Sequence, residues 1–166
     1  LSSKENTVSG VSHELDSSTR NLVSGFDHDL IRSDRNSVTG NDNNLDSSSD
    51  NDVSGASHDL VLSNRNDVSG TNNDLETSSD NSVSGINNAL TASVQNEVSG
   101  NLHVLSGFSS RNSVSGSEHA LINGSVHNDV SGLDNNLDGS ANNSISGQMH
   151  ELIGSHRNDI SGVNND

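Results

Sequence analysis

The residues able to do chemistry are serine, asparagine, histidine and the two carboxylates, and they recur at fixed intervals. The 166-residue chain holds 35 Ser and 26 Asn. Hydroxyls stand at Ser9, Ser24, Thr39, Ser54, Ser69, Ser84, Ser99, Ser115, Ser131, Ser146 and Ser161, almost always 15 residues apart. Two residues before each is a second, mixed series: Thr7, Leu22, Ser37, Asp52, Asp67, Ser82, Glu97, Ser113, Asp129, Ser144 and Asp159. A hydroxyl is both donor and acceptor, so a column of them offers a regular array of water-like groups. Single-site chemistry finds no comparable support. Ser, His and Asp are so frequent that a catalytic triad fits anywhere, while no Gly-x-Ser-x-Gly elbow, phosphate loop or dinucleotide fingerprint is present. No enzyme, catalytic residue or cofactor is therefore expected. Cysteine is absent, which removes disulfides, Cys-based zinc sites and thiol nucleophiles. Carboxylates flank a second series of positions: Glu14, Asp29, Asp59, Asp74 and Glu151 before a Leu, and Asp16, Asp46, Glu76 and Asp138 after one. Such oxygens attract calcium weakly, but no calcium-loop spacing accompanies them and no metal site is assigned.

Something must hold these residues in phase. Asn-x-(Val/Ile)-(Ser/Thr)-Gly occurs eleven times, at Asn6, Asn21, Asn36, Asn51, Asn66, Asn81, Asn96, Asn112, Asn128, Asn143 and Asn158. Five residues after each Gly but the last comes a Leu, from Leu15 to Leu152, preceded by His or Asn two positions earlier. Each unit thus splits into a seven-residue and an eight-residue half, each alternating about one apolar residue as a short strand of three to four residues does. Gly, or Ser among polar residues, is expected to turn the chain, the repeated Gly with positive φ. The expected fold is all-β and helix-free: a narrow two-sheet solenoid of about 11 coils across residues 1–166, one repeat domain with Val and Leu facing each other. Two steps of 16 residues place an extra residue after Leu105 and Leu121, where bulges on the Leu side are expected. Two aliphatic side chains per coil are too few to offset the entropy of ordering it. Backbone ladders and stacked Asn amides must supply the rest, giving the Asn column a structural role.

Composition narrows the partners. With 7 basic and 23 acidic residues the formal charge is -16, so the Lys/Arg footprint that nucleic acid or anionic membranes require is missing. No apolar run approaches membrane length. The first residue is Leu rather than Met, and a processed or excised fragment is expected.

The array of Asn-x-Val-x-Gly-x-x alternating with Asn-x-Val-x-x-Gly-x-x, matched from Asn6-Thr7-Val8-Ser9-Gly10 to Asn158-Asp159-Ile160-Ser161-Gly162, resembles the ice recrystallisation inhibition proteins of cold-hardy grasses, the ryegrass antifreeze type. The resemblance implies a left-handed β-roll, secretion to the apoplast, and adsorption to ice through the flat face of the shorter half-unit. That family often carries a leucine-rich-repeat region, which residues 1–166 do not contain. The longer half-unit here departs from the family pattern, with Leu for Val, Ser more often than Gly, and His for Asn in about half its copies.

On this reading the outward hydroxyls beside each Val form a two-column grid at strand spacing, close to a repeat of the ice lattice. The expected ice-binding residues are Ser9, Ser24, Ser37, Thr39, Ser54, Ser69, Ser82, Ser84, Ser99, Ser113, Ser115, Ser131, Ser144, Ser146 and Ser161. Acidic residues in the upstream column hold liquid-like hydration, so restraint of crystal growth is expected to exceed depression of freezing. The expected partner is the ice crystal surface, met by a monomer, with no nucleic acid or membrane. The alternative is a structural or adhesive roll within a surface fibre, since trimeric autotransporter heads carry similar repeats; a trimer needs an outward apolar column, and only the interrupted Ile31, Val61, Ile122 and Ile153 offer one. Two sequons, at Asn123 and Asn142, are expected near Leu-side turns.

Overall fold

The computed structural model describes residues 4–165; residues 1–3 and 166 of the expected repeat domain lie outside the described residues. Among the described residues there is no helix, and two parallel sheets stack as a β-solenoid. Eleven strands from Thr7–Val11 to Asp159–Val163 form one sheet, and ten from Glu14–Asp16 to Glu151–Ile153 form the other. Strands of one sheet alternate along the chain with strands of the other, so each strand pairs with its counterpart one coil away. The register puts like upon like: Val53 pairs with Val68, Ser54 with Ser69, Gly55 with Gly70, and Leu60 with Leu75.

The interior is built from stacked columns. Val23 to Ile145 and Leu30 to Leu152 form one continuous apolar cluster, every member at most 2% exposed. Val8, on the first rung, is 46% exposed. Beside the valines runs the Asn column. Asn66 donates from Nδ2 to Ser78 O (2.9 Å) and to Asn51 Oδ1 (3.1 Å), while its own Oδ1 accepts Asn81 N–H (3.0 Å). The same pattern repeats through the stack, so the amides satisfy the backbone of two coils at once.

Three details differ from the sequence expectation. First, the Gly of each Asn-x-Val-Ser-Gly lies inside a five-residue strand, not at the turn; its φ is positive as expected, 121° at Gly85. A Cβ there would lie 1.8 Å from Gly100 O, so the coils approach too closely for any side chain. The chain turns after the next residue, at non-glycine positions with φ near +60°, such as Asp27 and Ser57. Second, the serine after the Leu strands is core from Ser18 to Ser140: Ser48 is fully buried, donates to Leu60 O (2.8 Å), and accepts the N–H of Ser63 (3.0 Å). Third, the extra residues of the 16-residue units lie in corners rather than in bulges. The strands end at Leu105 and Ile122, bends follow at Gly107–Phe108 and Asn123–Gly124, and neighbouring Val strands keep register, Glu97 opposite Ser113 and Ser113 opposite Asp129.

A third line of pairing, absent from the sequence reading, joins single residues at the far edge of each coil, as in Thr19 with Asp34 and Asp34 with Ser49. Left-handed corners carry the ladder past each bend. Arg35 N–H, at a φ of 59°, donates to Thr19 O at 3.1 Å, and Asp27 N–H to Val11 O at 2.9 Å. The backbone of one coil is thereby hydrogen-bonded to the next even where it is not in a strand.

Candidate functional site

Alternation fixes which side chains face out. In Ser82–Ile86, Val83 points into the core, so Ser82, Ser84 and Ile86 point outward. All fifteen expected grid residues lie on this one sheet and are exposed or half-buried. Their register is unbroken: Ser69 pairs with Ser84, Ser84 with Ser99, Ser99 with Ser115 and Ser115 with Ser131. Ser131 also donates from Oγ to Ile145 O (3.3 Å), fixing its hydroxyl across the rung. Asp52 and Asp67 are adjacent in the upstream column.

Because each Val strand runs one residue past its Gly, the sheet presents a third outward column that the sequence reading missed. It holds Val11, Phe26, Asn41, Ala56, Thr71, Ile86, Asn101, Ser117, Leu133, Gln148 and Val163. Residue type gave no signal there, since the column mixes apolar, amide and hydroxyl side chains; the five-residue strand length was the missing information. Phe26, Ile86 and Val163 are each about half exposed, at 58%, 48% and 57%.

The opposite sheet presents only two outward columns over strands of three residues, and two residues at Val104–Leu105. Its acids crowd one another. Burial, and then Glu14 and Asp46, push the Asp29 carboxyl up; burial, and then Asp59 and Glu76, push Asp74 up. Among the described residues no group of three or more His, Cys, Asp or Glu is disposed to hold a metal ion. Ile31, Val61 and Ile122 are half-buried on this sheet and Ile153 is exposed; Asp46 stands between Ile31 and Val61, Glu76 follows Val61, and Asp138 stands between Ile122 and Ile153. Asn123 lies in a Leu-side corner as expected, whereas Asn142 lies at the far-edge corner leading into the Val sheet, with Ser144 of its sequon on the grid.

The family model for the grass antifreeze β-roll matches residues 8–107 and again residues 60–154. The chain belongs to that family. The grass antifreeze β-roll is an ice-binding architecture, and the two stacked sheets described above are its two faces. Comparison with curated proteins finds no match.

Proposed function

We propose that this grass antifreeze β-roll adsorbs to ice through the Val-side sheet and thereby inhibits ice recrystallisation. The observation that carries this reading is the hydroxyl column: eleven rungs in register, ten Ser and Thr39, with no rung displaced by the two longer coils. A rigid array loses little entropy when it meets an ordered surface. The Leu side lacks such a column and repeats carboxylates instead. Acids at Asp52, Asp67, Glu97, Asp129 and Asp159 keep the upstream column hydrated, which favours slowing of crystal growth over strong freezing-point depression. Secretion to the apoplast and action as a monomer belong to the same proposal.

The two faces serve as each other's control. Ser84→Tyr or Ser115→Tyr sets a ring into the grid and should remove most recrystallisation inhibition without changing the circular dichroism spectrum. Thr91→Tyr on the Leu side should change little. Replacing Asp52, Asp67, Glu97 and Asp129 with Thr should raise activity. Equal losses from both Tyr changes would reject the assigned face, and a parent inactive at every concentration would reject the function.

A further inference from the structure

The serine grid is held from behind by side chains of the other half-unit. Four residues beyond each column hydroxyl, a His or Asn reaches back to that residue's carbonyl. His28 Nε2 lies 3.0 Å from Ser24 O, His58 Nε2 3.2 Å from Ser54 O, and His119 Nε2 2.9 Å from Ser115 O. The other ring nitrogen accepts a backbone N–H from the next coil: Asn43 N–H to His28 Nδ1 (3.2 Å), Asn73 N–H to His58 Nδ1 (3.1 Å), Asn135 N–H to His119 Nδ1 (3.1 Å). These partners select one form of the ring, neutral with its proton on Nε2. Where the column has Asn, the amide does the same work. Asn43 Oδ1 accepts His58 N–H (3.1 Å) and Asn43 Nδ2 donates to Thr39 O (3.2 Å). Amide and neutral imidazole are interchangeable here, but only the imidazole titrates. A proton added to Nδ1 would set one N–H against another inside a buried column.

We propose that the histidines of this column are positioning residues that make the Val-side face pH-gated: as neutral rings they fix the backbone of the grid serines, and protonation of the buried His28, His58, His103 and His119 releases the rungs of Ser24, Ser54, Ser99 and Ser115. The regulated property rests on the reading of that sheet as the ice-adsorbing face; the titrating support does not.

The groups facing each ring set the sign. His28 lies between His13 and Asn43, with Asp27 and Asp42 at the adjoining corner; His13 is also next to Glu14. His58 lies between Asn43 and Asn73 among the carbonyls of Ser54 and Gly70. His103 stacks on His119 at 5.0 Å, with Asn88 on its other side and Asp134 near His119. His150 lies between Asn135 and Asn165, with Asp134 and Glu151 beside it. Burial outweighs these acids, and His28, His58, His103 and His119 are all held below the usual imidazole range. Their stabilising contribution is present above the unfolded value, about pH 6.5, and is lost as pH falls through the folded values. In the stacked pair His103–His119, at 5.0 Å, a charge on one ring further opposes a charge on the other.

The test compares the parent with a variant carrying Asn at His13, His28, His58, His103, His119 and His150, and with His58→Asn alone, a position already flanked by Asn43 and Asn73 should the sixfold change misfold. The parent's melting temperature should fall by roughly 10 °C between pH 7.5 and 5, and the sixfold variant's by much less; the single variant should protect the Asn73 amide from exchange at pH 5 better than the parent does. Nitrogen chemical shifts should show Nε2-protonated rings at pH 7.5. The ratio of recrystallisation inhibition at pH 5 to that at pH 7.5 should be lower in the parent than in the variant. Matching pH profiles of stability, or rings protonated on Nδ1, would overturn the proposal. The expected titration in a protein that restrains ice at no pH would uphold the support and reject the ice-face reading.

Discussion

Asn66 shows how one residue type carries most of a coil. Its amide closes bonds to Asn51, Asn81 and the carbonyl of Ser78 in a stack where every neighbour does the same. Asn66→Ala would leave Asn81 N–H buried without a partner and would take from Ser78 O one of its two donors, the other being Asn64 N–H at 3.2 Å; it should cost about 1–3 kcal/mol, measured by urea denaturation, and an unchanged stability would reject the structural role. Gly85→Val meets a harder limit, because Gly100 O occupies the space a Cβ needs and the positive φ strains any side chain. It should destabilise the middle of the rod by more than about 2 kcal/mol, and an unchanged melting curve would count against that close approach. Both columns were legible in the sequence as structural, since Asn and Gly are poor strand residues and only a structural demand repeats them eleven times, but the Gly was expected at the turn and lies within the strand. The Ser48 column was not legible as core, because buried and outward serines share a residue type and a period.

At the scale of the strand and its corners, the same limit recurs. Periodicity located both strands, but not the five-residue length of one or the third line of pairing, because residues such as Phe26, Asn41 and Ala56 share no type. The corners are occupied by whatever residue falls there, in a backbone region that most L-residues avoid: Leu62 has a φ of 52° and Thr77 of 53°. The inter-coil hydrogen bonds compensate, as Leu62 N–H to Asp46 O at 2.9 Å. Leu62 is 55% exposed, so Leu62→Asn gives up little packing while relieving the corner. It should raise stability by about 0.5–1 kcal/mol, and a lower unfolding midpoint would show that Leu62 packs more than its exposure indicates. Corners also absorb the 16-residue units, which explains how the Val sheet keeps register while the Leu strand at Val104–Leu105 shortens.

Across the whole molecule, charge is unevenly placed. The ion pairs Arg20–Asp34, Arg35–Asp34, Arg35–Asp50, Arg65–Asp80 and Arg32–Asp46 all lie before residue 81, at distances of 2.6 to 2.8 Å. Their guanidiniums hold Asp34, Asp46, Asp50 and Asp80 below the usual carboxylate range. These pairs are solvent-exposed and contribute little. Against them stand a net charge of -16 and stacked carboxylates on the Leu side, where Asp29, Asp59 and Asp74 are pushed up chiefly by burial. For those three the sign is unfavourable at neutral pH and relieved as pH falls toward about 4, opposite to the histidine column, so acid alone mixes two effects. Salt separates them. Raising ionic strength from about 0.01 to 1 M shortens the screening length from roughly 30 to 3 Å. Repulsion spread over many coils should then weaken more than the few close pairs do, and the melting temperature at pH 7.5 should rise. The rise should shrink when Asp29, Asp59 and Asp74 are replaced by Asn. A melting temperature that falls with salt would mean that the Arg–Asp edge, rather than repulsion along the Leu side, sets the electrostatic balance of the rod.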